Sequence, residues 1–487
     1  MAGCHAFDLE TSAAMGALQQ LVTQRFSAPR DESVERFGEF EAQLLGTLMS
    51  LGRELLAADL HRLDVDVPGI VVGGDRFRRC GRTTGRYETL VGRVCVKRWT
   101  YRERGGRGGR TVCPLEMSIG MVGGRWTPAA ARLACGFVAA APGEEATRLL
   151  SSVGTMAPSA SHLDRLVKTV GEVWESNREG FEDEVRQAEA HSDALPDTET
   201  VATIVVSIDG IMVPMKDAPR TPGAGKRDQE PKGHKEASSA SLTLLGSAGN
   251  RLHTIYLGRM PESKKVTLQA QLTAELAALL KLYPDAAVQA VADGADDIWR
   301  IISEVEANTG CSIEHTLDFY HAFENVAEAL RVYAHDHHQA ADDIAYWRKM
   351  LRDHDEGPDR LLRALKYRLK KARNAAQRGT IQKKIRYVEP RLGMMNYAAL
   401  KKRPRLIGSG IQEAACKTLI AERLKRSGMS WRHQGAQAIL TLRAARRSGR
   451  AQHLWDVLTP AFRQSFKVDS DRVHVRNGGW SRDLTRG

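Results

Sequence analysis

The chain has 487 residues, enough for two or three domains with sizeable cores, and 42% hydrophobic with 27% charged residues is a globular balance that excludes a disordered protein. The net charge of +12 is unevenly spread: residues 76–110 hold 12 Arg/Lys against 2 acids, and residues 401–450 hold 13 against 2. Such blocks suit a phosphate backbone, since each neutralised phosphate releases counterions; an anionic membrane is the rival, but no run of about 18 apolar residues and no signal-peptide order is present, so a cytoplasmic, nucleoid-associated protein is expected.

The seven cysteines include no C-x-x-C pair and read as reduced thiols. Residues 1–66 are expected to be an N-terminal helical region. Residues 1–30 are weakly patterned and expected to be loosely ordered. From 31 to 63, Phe37, Phe40, Leu44, Leu48, Leu51 and Leu55 place a stripe along one long helix. Too few clean heptads follow for a coiled coil, so an intramolecular helix is predicted.

Residues 67–120 read as a small basic β module. Glycines punctuate short β-like runs, and 91–101 (V-G-R-V-C-V-K-R-W-T-Y) predicts a twisted hairpin in which Arg93, Lys97, Arg98, Trp99 and Tyr101 interleave cations with aromatics. That pattern suits nucleic-acid contact; a solvated face over a β module is the alternative. Residues 105–110 read as a flexible basic loop. Residues 121–178 predict three helices, the first opened by Thr127-Pro128 and ended before Pro142-Gly143. The second and third fit a helix-turn-helix carrying Ser161, His162, Arg165 and Lys168, with ordinary helical packing as the alternative. Acidic 179–189 and polar 193–200 mark a boundary.

Residues 201–317 read as the first part of an α/β core. The β-branched run 202–208 ends at Asp209-Gly210, and 286–292 is a second apolar run ending at Asp293-Gly294. Between them lie a charged loop (216–236), a hairpin around 246–250 and a helix (263–283). The loop's G-A-G-K at 223–226 is not a phosphate-binding loop, because Arg227 stands where Ser or Thr is needed. A helix through Trp299, Ile302 and Val305 leads to a last strand at 312–317. Three antiparallel strands followed by parallel strands joined by helices is the order of an RNase H-like core with a mixed five-stranded sheet.

Residues 318–405 form a run of basic helices. Asp293 and Glu413 are 120 positions apart, far more than a crossover needs, which predicts a large helical insertion. His335-Asp336-His337-His338 within it reads as a solvated helix face, lacking the further ligands of a closed metal site. Residues 406–450 return to the core: a Gly/Ser loop with Ser409 as N-cap opens a helix whose first turn holds Glu413, with Cys416, Lys417 and Ile420 on the same face. Residues 451–487 are read as a C-terminal tail.

Two strand ends and a helix start each delivering an acid form a hard-oxygen site for Mg²⁺ or Mn²⁺. Two ions about 3.5–4 Å apart would serve phosphodiester chemistry, with Asp209 bridging both and Asp293 and Glu413 each holding one. The S-I-D-G and A-D-G strands, the D-F-Y-H at 318–321 and above all G-S-G-I-Q-E-A-A-C-K at 408–417 followed by R-L-K-R-S-G-M-S-W at 423–431 resemble bacterial insertion-sequence transposases of the DDE superfamily, nearest to the ISKra group. The resemblance spans about residues 70–450, including P-L-E at 114–116.

That resemblance implies a catalytic and metal-binding triad of Asp209, Asp293 and Glu413, with Asp318 and His321 matching the C/D-x-x-H motif beside it and Lys417 as a further accessory residue. Arg423, Lys425 and Arg426 join the DNA-binding set. The implied activity is metal-dependent strand cleavage and strand transfer at terminal inverted repeats, by a homo-oligomer on double-stranded DNA. One departure stands out: the paired-cysteine knuckle of such proteins is missing, leaving only Cys113. An RNase H-like nuclease or resolvase, or a non-catalytic DNA-binding derivative of a transposase, are the alternatives.

Overall fold

The structure, a computed structural model, describes residues 12–104, 109–153, 156–193, 195–216 and 233–469. The chain divides into two compact units, Met1–Val173 with Trp455–Gly487, and Trp174–Leu454. Among the described residues no helix is long and apolar enough to cross a membrane.

The first unit is built on an antiparallel five-stranded sheet in the order β10-β1-β2-β3-β4. Its strands are β1 (Gly69–Val72), β2 (Asp75–Thr89), β3 (Gly92–Glu103), β4 (Thr111–Val112) and β10 (Lys467–Val468). β2 and β3 form the predicted hairpin, and period-2 alternation on β3 sends Val94 and Val96 inward onto Tyr87, Leu60 and Leu115. The opposite face keeps Arg82, Arg86, Cys95 and Lys97 exposed. The predicted three helices follow as Pro128–Ala140, Gly143–Ser152 and Ala160–Ser176.

Two expectations for this unit need correcting. Residues Ala13–Ser27 form a helix, capped by Ser12, because the Arg25 guanidinium lies over the rings of Phe37 and Phe40 on the Phe37–Arg62 helix. That order comes from tertiary contact, which local patterning does not reveal. Residues 451–469 likewise are no tail: they contain the Ala451–Ala461 helix and the edge strand β10, which pairs with β1.

The second unit is mixed α/β with the expected mixed five-stranded sheet, ordered β7-β6-β5-β8-β9. Its strands are β5 (Val201–Met215), β6 (Gly233–Gly246), β7 (Arg251–Arg259), β8 (Ala287–Ala292) and β9 (Ile313–Leu317). β5, β6 and β7 are antiparallel, whereas β8 and β9 join β5 in parallel. Helices Val266–Leu282 and Asp296–Thr309 cover the sheet through Leu268, Leu272, Leu276, Ile301, Ile302 and Val305, all fully buried. Each such side chain contributes about 1.5–3 kcal/mol by leaving water.

Between β9 and Glu413 run the long helices Phe319–Tyr333, His337–Asp353, Gly357–Lys370 and Ala375–Val388, followed by the short turns Glu389–Met394 and Tyr397–Leu400. They have their own hydrophobic cluster centred on Phe319, Val326, Leu361, Leu365, Ile381 and Tyr397. Asp336 caps the second helix by accepting the Gln339 N–H at 2.8 Å. The sequence reading placed a charged loop at 216–236; β6 in fact begins at Gly233, and the G-A-G-K run lies outside the described residues, as do 105–108 of the basic loop.

One buried ion network closes the second unit. Arg450 donates to Glu189 and to both oxygens of Glu275 at 2.8 Å, Arg186 also reaches Glu275, and the Arg450, Glu189 and Glu275 side chains are all below a tenth exposed. Burial works against ionising Glu275, but the Arg450 and Arg186 guanidiniums hold its carboxyl below the ordinary value of 4.5. Its contribution to stability is therefore complete above that pH and lost as the pH falls. Arg450→Met, which takes the guanidinium from buried Glu189 and leaves Glu275 to Arg186, should cost about 3–5 kcal/mol in chemical denaturation at pH 7 and flatten the acid limb of the stability profile.

Candidate active site

Asp209 does not end its strand. β5 continues through Gly210 to Met215 because β6 pairs with it along its whole length, with Asp209 opposite Ser239. Only the parallel pairing with β8 stops, at Val206, so Asp209 lies just past the doubly flanked stretch. The far end of β5 is held by the 423–431 motif: the Trp431 N–H donates to the Pro214 carbonyl at 2.9 Å, and the Lys216 N–H to the Trp431 carbonyl.

Asp293 follows β8 directly. Its carboxylate accepts the Ala295 N–H at 3.0 Å, and its carbonyl accepts the Trp299 indole N–H at 2.7 Å. Gly294 is required by packing, since a Cβ there would lie 2.3 Å from the Tyr387 ring. Arg391 stacks on that ring and donates to the Gly294 carbonyl, so the helical region holds the Asp293 turn in place.

Glu413 is brought back from 120 residues away by a tethered segment. The buried Gln289 amide on β8 donates to the Leu406 carbonyl at 2.7 Å and accepts the Leu406 N–H at 2.9 Å. Thr203 on β5 donates to the Pro404 carbonyl at 2.7 Å. Asp318, fully buried, then fastens the loop: it accepts the Ser409 N–H on one oxygen and the His321 N–H at 2.8 Å on the other. Ser409 occupies the cap position of the Gly410–Ala415 helix without a side-chain cap bond, so the loop depends on Asp318.

His321 sits between acids. Its Nδ1 is 3.2 Å from Asp318 and 4.0 Å from Glu413, and Asp293 also acts on it. The Asp318 hydrogen bond pushes the imidazole up to about 9, while the His321 and Ser409 contacts hold the buried Asp318 carboxyl down at about 2. Asp209 is raised by burial and by the nearby Asp293 charge, against hydrogen bonds from Gly210 and Cys416. Burial pushes the Cys416 thiol up to about 12.

Atoms of Asp318, His321 and Glu413 lie within 4.8 Å of one another, a group that could hold a metal ion. Both Asp318 oxygens are already engaged with N–H donors, so within that group Asp318 acts as an anchor, and the accessible donors are on the exposed side chains of His321 and Glu413. The four-residue face read from sequence is split. A π-helical turn runs through Cys416–Ala421, leaving Glu413 and Lys417 exposed while Cys416 and Ile420 are buried.

Several residues read from sequence as DNA-binding face inward. Tyr101 is fully buried, its hydroxyl bonded to the backbone at Val65 and Val67. Arg98 pairs with Glu116 and Tyr87 beneath the sheet, at 2.7 and 2.9 Å. Arg423 is buried with its guanidinium over the Trp431 ring. These are corrections: Arg98 follows Val94 and Val96 inward by alternation, Tyr101 packs on the other face with Ile70 and Phe77, and Arg423 stacks on Trp431.

Arg93 pairs with the buried Glu88, and Lys168 with Asp164. His162 is half-buried, its charged form disfavoured by burial and by Arg125 and Arg165. Lys97, Ser161, Arg165, Lys425 and Arg426 are exposed, and Trp99 is half-buried. The sequence reading missed Arg79 and Arg82, whose guanidiniums lie 4.5 and 4.9 Å from the Trp99 ring; cross-strand register brings them there, and only the hairpin pairing would have shown it. It also missed Gln412 and Ser239 beside Cys416.

No known family model matches this chain, and no curated protein matches it. Among solved structures, the Drosophila P element transposase strand transfer complex aligns at 12% identity with a TM-score of 0.31, covering 66% of this chain and 92% of that chain.

In metal-free protein, NMR should show His321 titrating near 9, and Asp318→Asn should return it toward 6.5. The imidazolium–Asp318 contact accordingly favours the fold fully at pH 6.5 and below, and that contribution is lost as the pH rises through 9.

Proposed function

We propose that this chain is a DDE-type transposase with an RNase H-like core, cleaving DNA and transferring strands at the inverted-repeat ends of an insertion sequence. The observation that carries the reading is electrostatic: Asp209 and Asp293 act on one another and on His321, which lies 4.0 Å from Glu413, beside the parallel strands of a mixed sheet. On this reading the 318–405 helices are an insertion, and residues 67–120 and 121–178 supply DNA contact.

The donor set fits a hard divalent cation. Every candidate ligand in the proposed triad is a carboxylate, the Asp293 charge raises the cost of ionising Asp209, and Glu413 stays half exposed. Asp209, Asp293 and Glu413 would hold two Mg²⁺ or Mn²⁺ ions. Bound there, the ions would activate the attacking oxygen, stabilise the leaving oxygen and neutralise charge on the scissile phosphate. Asp318 holds the His321 ring with its Nδ1 toward Asp318 and Glu413. Lys417, exposed one turn beyond Glu413, is available to the DNA backbone.

Asp209→Asn, Asp293→Asn and Glu413→Gln should each abolish Mg²⁺-dependent cleavage of a terminal-repeat oligonucleotide while keeping fold and DNA binding. Near-normal turnover by any of them removes that residue from the site. Cleavage without joining to a target duplex would turn the reading to a nuclease. His321→Ala should slow cleavage by about one to two orders of magnitude with little change in Tm.

DNA affinity is expected to fall with salt in proportion to the phosphates contacted. Replacing Arg82, Arg86 and Lys97 together with Ala should weaken binding to any duplex and reduce the slope of log K against log salt by about 2–3, measured by fluorescence anisotropy. An unchanged slope would take the hairpin out of the interface.

A further inference from the structure

Behind Asp209 lies a buried line of small polar groups that the proposed chemistry leaves without a role. Gln412 is fully buried; its amide nitrogen donates to the Ser239 carbonyl at 2.9 Å and to the Ser239 hydroxyl at 2.7 Å. Ser239, also fully buried, faces the Cys416 sulfur at 3.2 Å. The Cys416 thiol is thereby brought beside Asp209, which stands opposite Ser239 in the β5–β6 register. Gln412 and Cys416 are one turn apart on the chain that carries Glu413.

The direction of these bonds follows from the groups themselves. An amide NH₂ can only donate, so the Ser239 hydroxyl accepts from Gln412 and its own hydrogen is free to point at sulfur. A carboxylate can only accept, so with Ser239 donating to sulfur the thiol hydrogen is the one left available to Asp209. The donors then run one way, from Gln412 toward Asp209, while the buried Gln412 Oε1 has no partner among the described residues, and all members but the carboxylate are shut away from solvent. Such a chain selects one rotamer of the acid without adding charge to it. The separate Gly210 N–H to the Asp209 Oδ1 at 2.7 Å fixes the carboxylate from the backbone side.

Resting on the proposed function above, we propose that Gln412, Ser239 and Cys416 form a directed hydrogen-bond chain that positions the Asp209 carboxylate for divalent-metal binding. Cys416 and Ser239 are positioning residues: they act through Asp209 and touch neither metal nor DNA. The chain also couples two of the three acids, because the same helical segment that presents Glu413 presents Gln412 and Cys416 behind Asp209. Its hydroxyl and thiol members can be removed one at a time with small isosteric changes.

The test is calorimetric titration of the full-length, DNA-free protein with Mn²⁺ alone, alongside cleavage rates across Mn²⁺ concentration. Cys416→Ala and Ser239→Ala should each weaken Mn²⁺ binding about tenfold or more, shift the metal dependence of cleavage by the same factor and leave Tm and DNA affinity near wild type. Cys416→Ser, which keeps a donor at the same position, should bind within about threefold of wild type, a rescue that mere packing would not give. Asp209→Asn is the reference. If it loses Mn²⁺ binding while Cys416→Ala or Ser239→Ala keeps wild-type affinity, the positioning role is overturned and the proposed function stands. If Asp209→Asn itself binds Mn²⁺ like wild type, the proposed site fails and this inference with it. Should Cys416→Ala not fold, Ser239→Ala decides, since it leaves the thiol in place but unsupported.

Discussion

One buried carboxylate holds the candidate site together. Asp318 has no exposed surface, yet its backbone N–H donates to the Ala292 carbonyl at the end of β8, one of its oxygens receives the Ser409 N–H, and the other receives the His321 N–H. It therefore joins the strand before Asp293, the first turn of the helical region and the loop before Glu413. A buried charge is costly unless every lone pair is met by a donor. Here N–H donors on both oxygens and the His321 ring meet that cost, and the carboxyl is held far below the usual range. Removing it would loosen three chain segments at one point.

The electrostatics around this anchor are unequal in a useful way. Asp209, in the sheet, is pushed up by burial and by Asp293, whereas Asp318 is pushed down and His321 up. Negative charge is thus gathered on the side facing His321 and Glu413, with a single imidazolium between them. An arrangement of this kind is unfavourable in isolation and is held by the surrounding packing, including the Tyr387 ring and the Arg391 stack against the Asp293-Gly294 turn. The helices between β9 and Glu413 therefore do more than lengthen the chain; one of their aromatics shapes the acid's own turn.

The first unit shows how far charge density alone misleads about surface. Of the cations and aromatics interleaved on β3, Arg98 and Tyr101 are spent on internal bonds to Glu116 and to the backbone of residues 65–67, while Lys97 faces water. Arg79 and Arg82 flank Trp99 to give a stacked cationic patch whose members come from opposite strands. Exposed positive charge on this hairpin is thus narrower than its composition, and it is ordered by aromatic stacking.

The sequence by itself determined the elements that carry their own local signal. A β-branched run gave the strand holding Asp209, a short apolar run gave the strand that Asp293 follows, the Gly/Ser loop gave the start of the Glu413 helix, and the long gap between acids gave a separate run of helices. Asp-x-x-His at 318–321 was legible from its spacing, which puts the two residues one turn apart just past the last strand, and the structure adds that Asp318 is the N-cap. Only the tertiary structure decided what those residues touch. Gly210 does not end its strand because β6, some thirty residues on, continues to pair; Tyr101 and Arg423 turn inward because a backbone carbonyl and an indole await them. The Ala13–Ser27 helix and the edge strand β10 exist through partners distant in the chain. Ser239, Gln412 and Cys416 meet behind Asp209 through strand register and a buried helix face, neither of which has a period or a composition that one stretch of sequence can display.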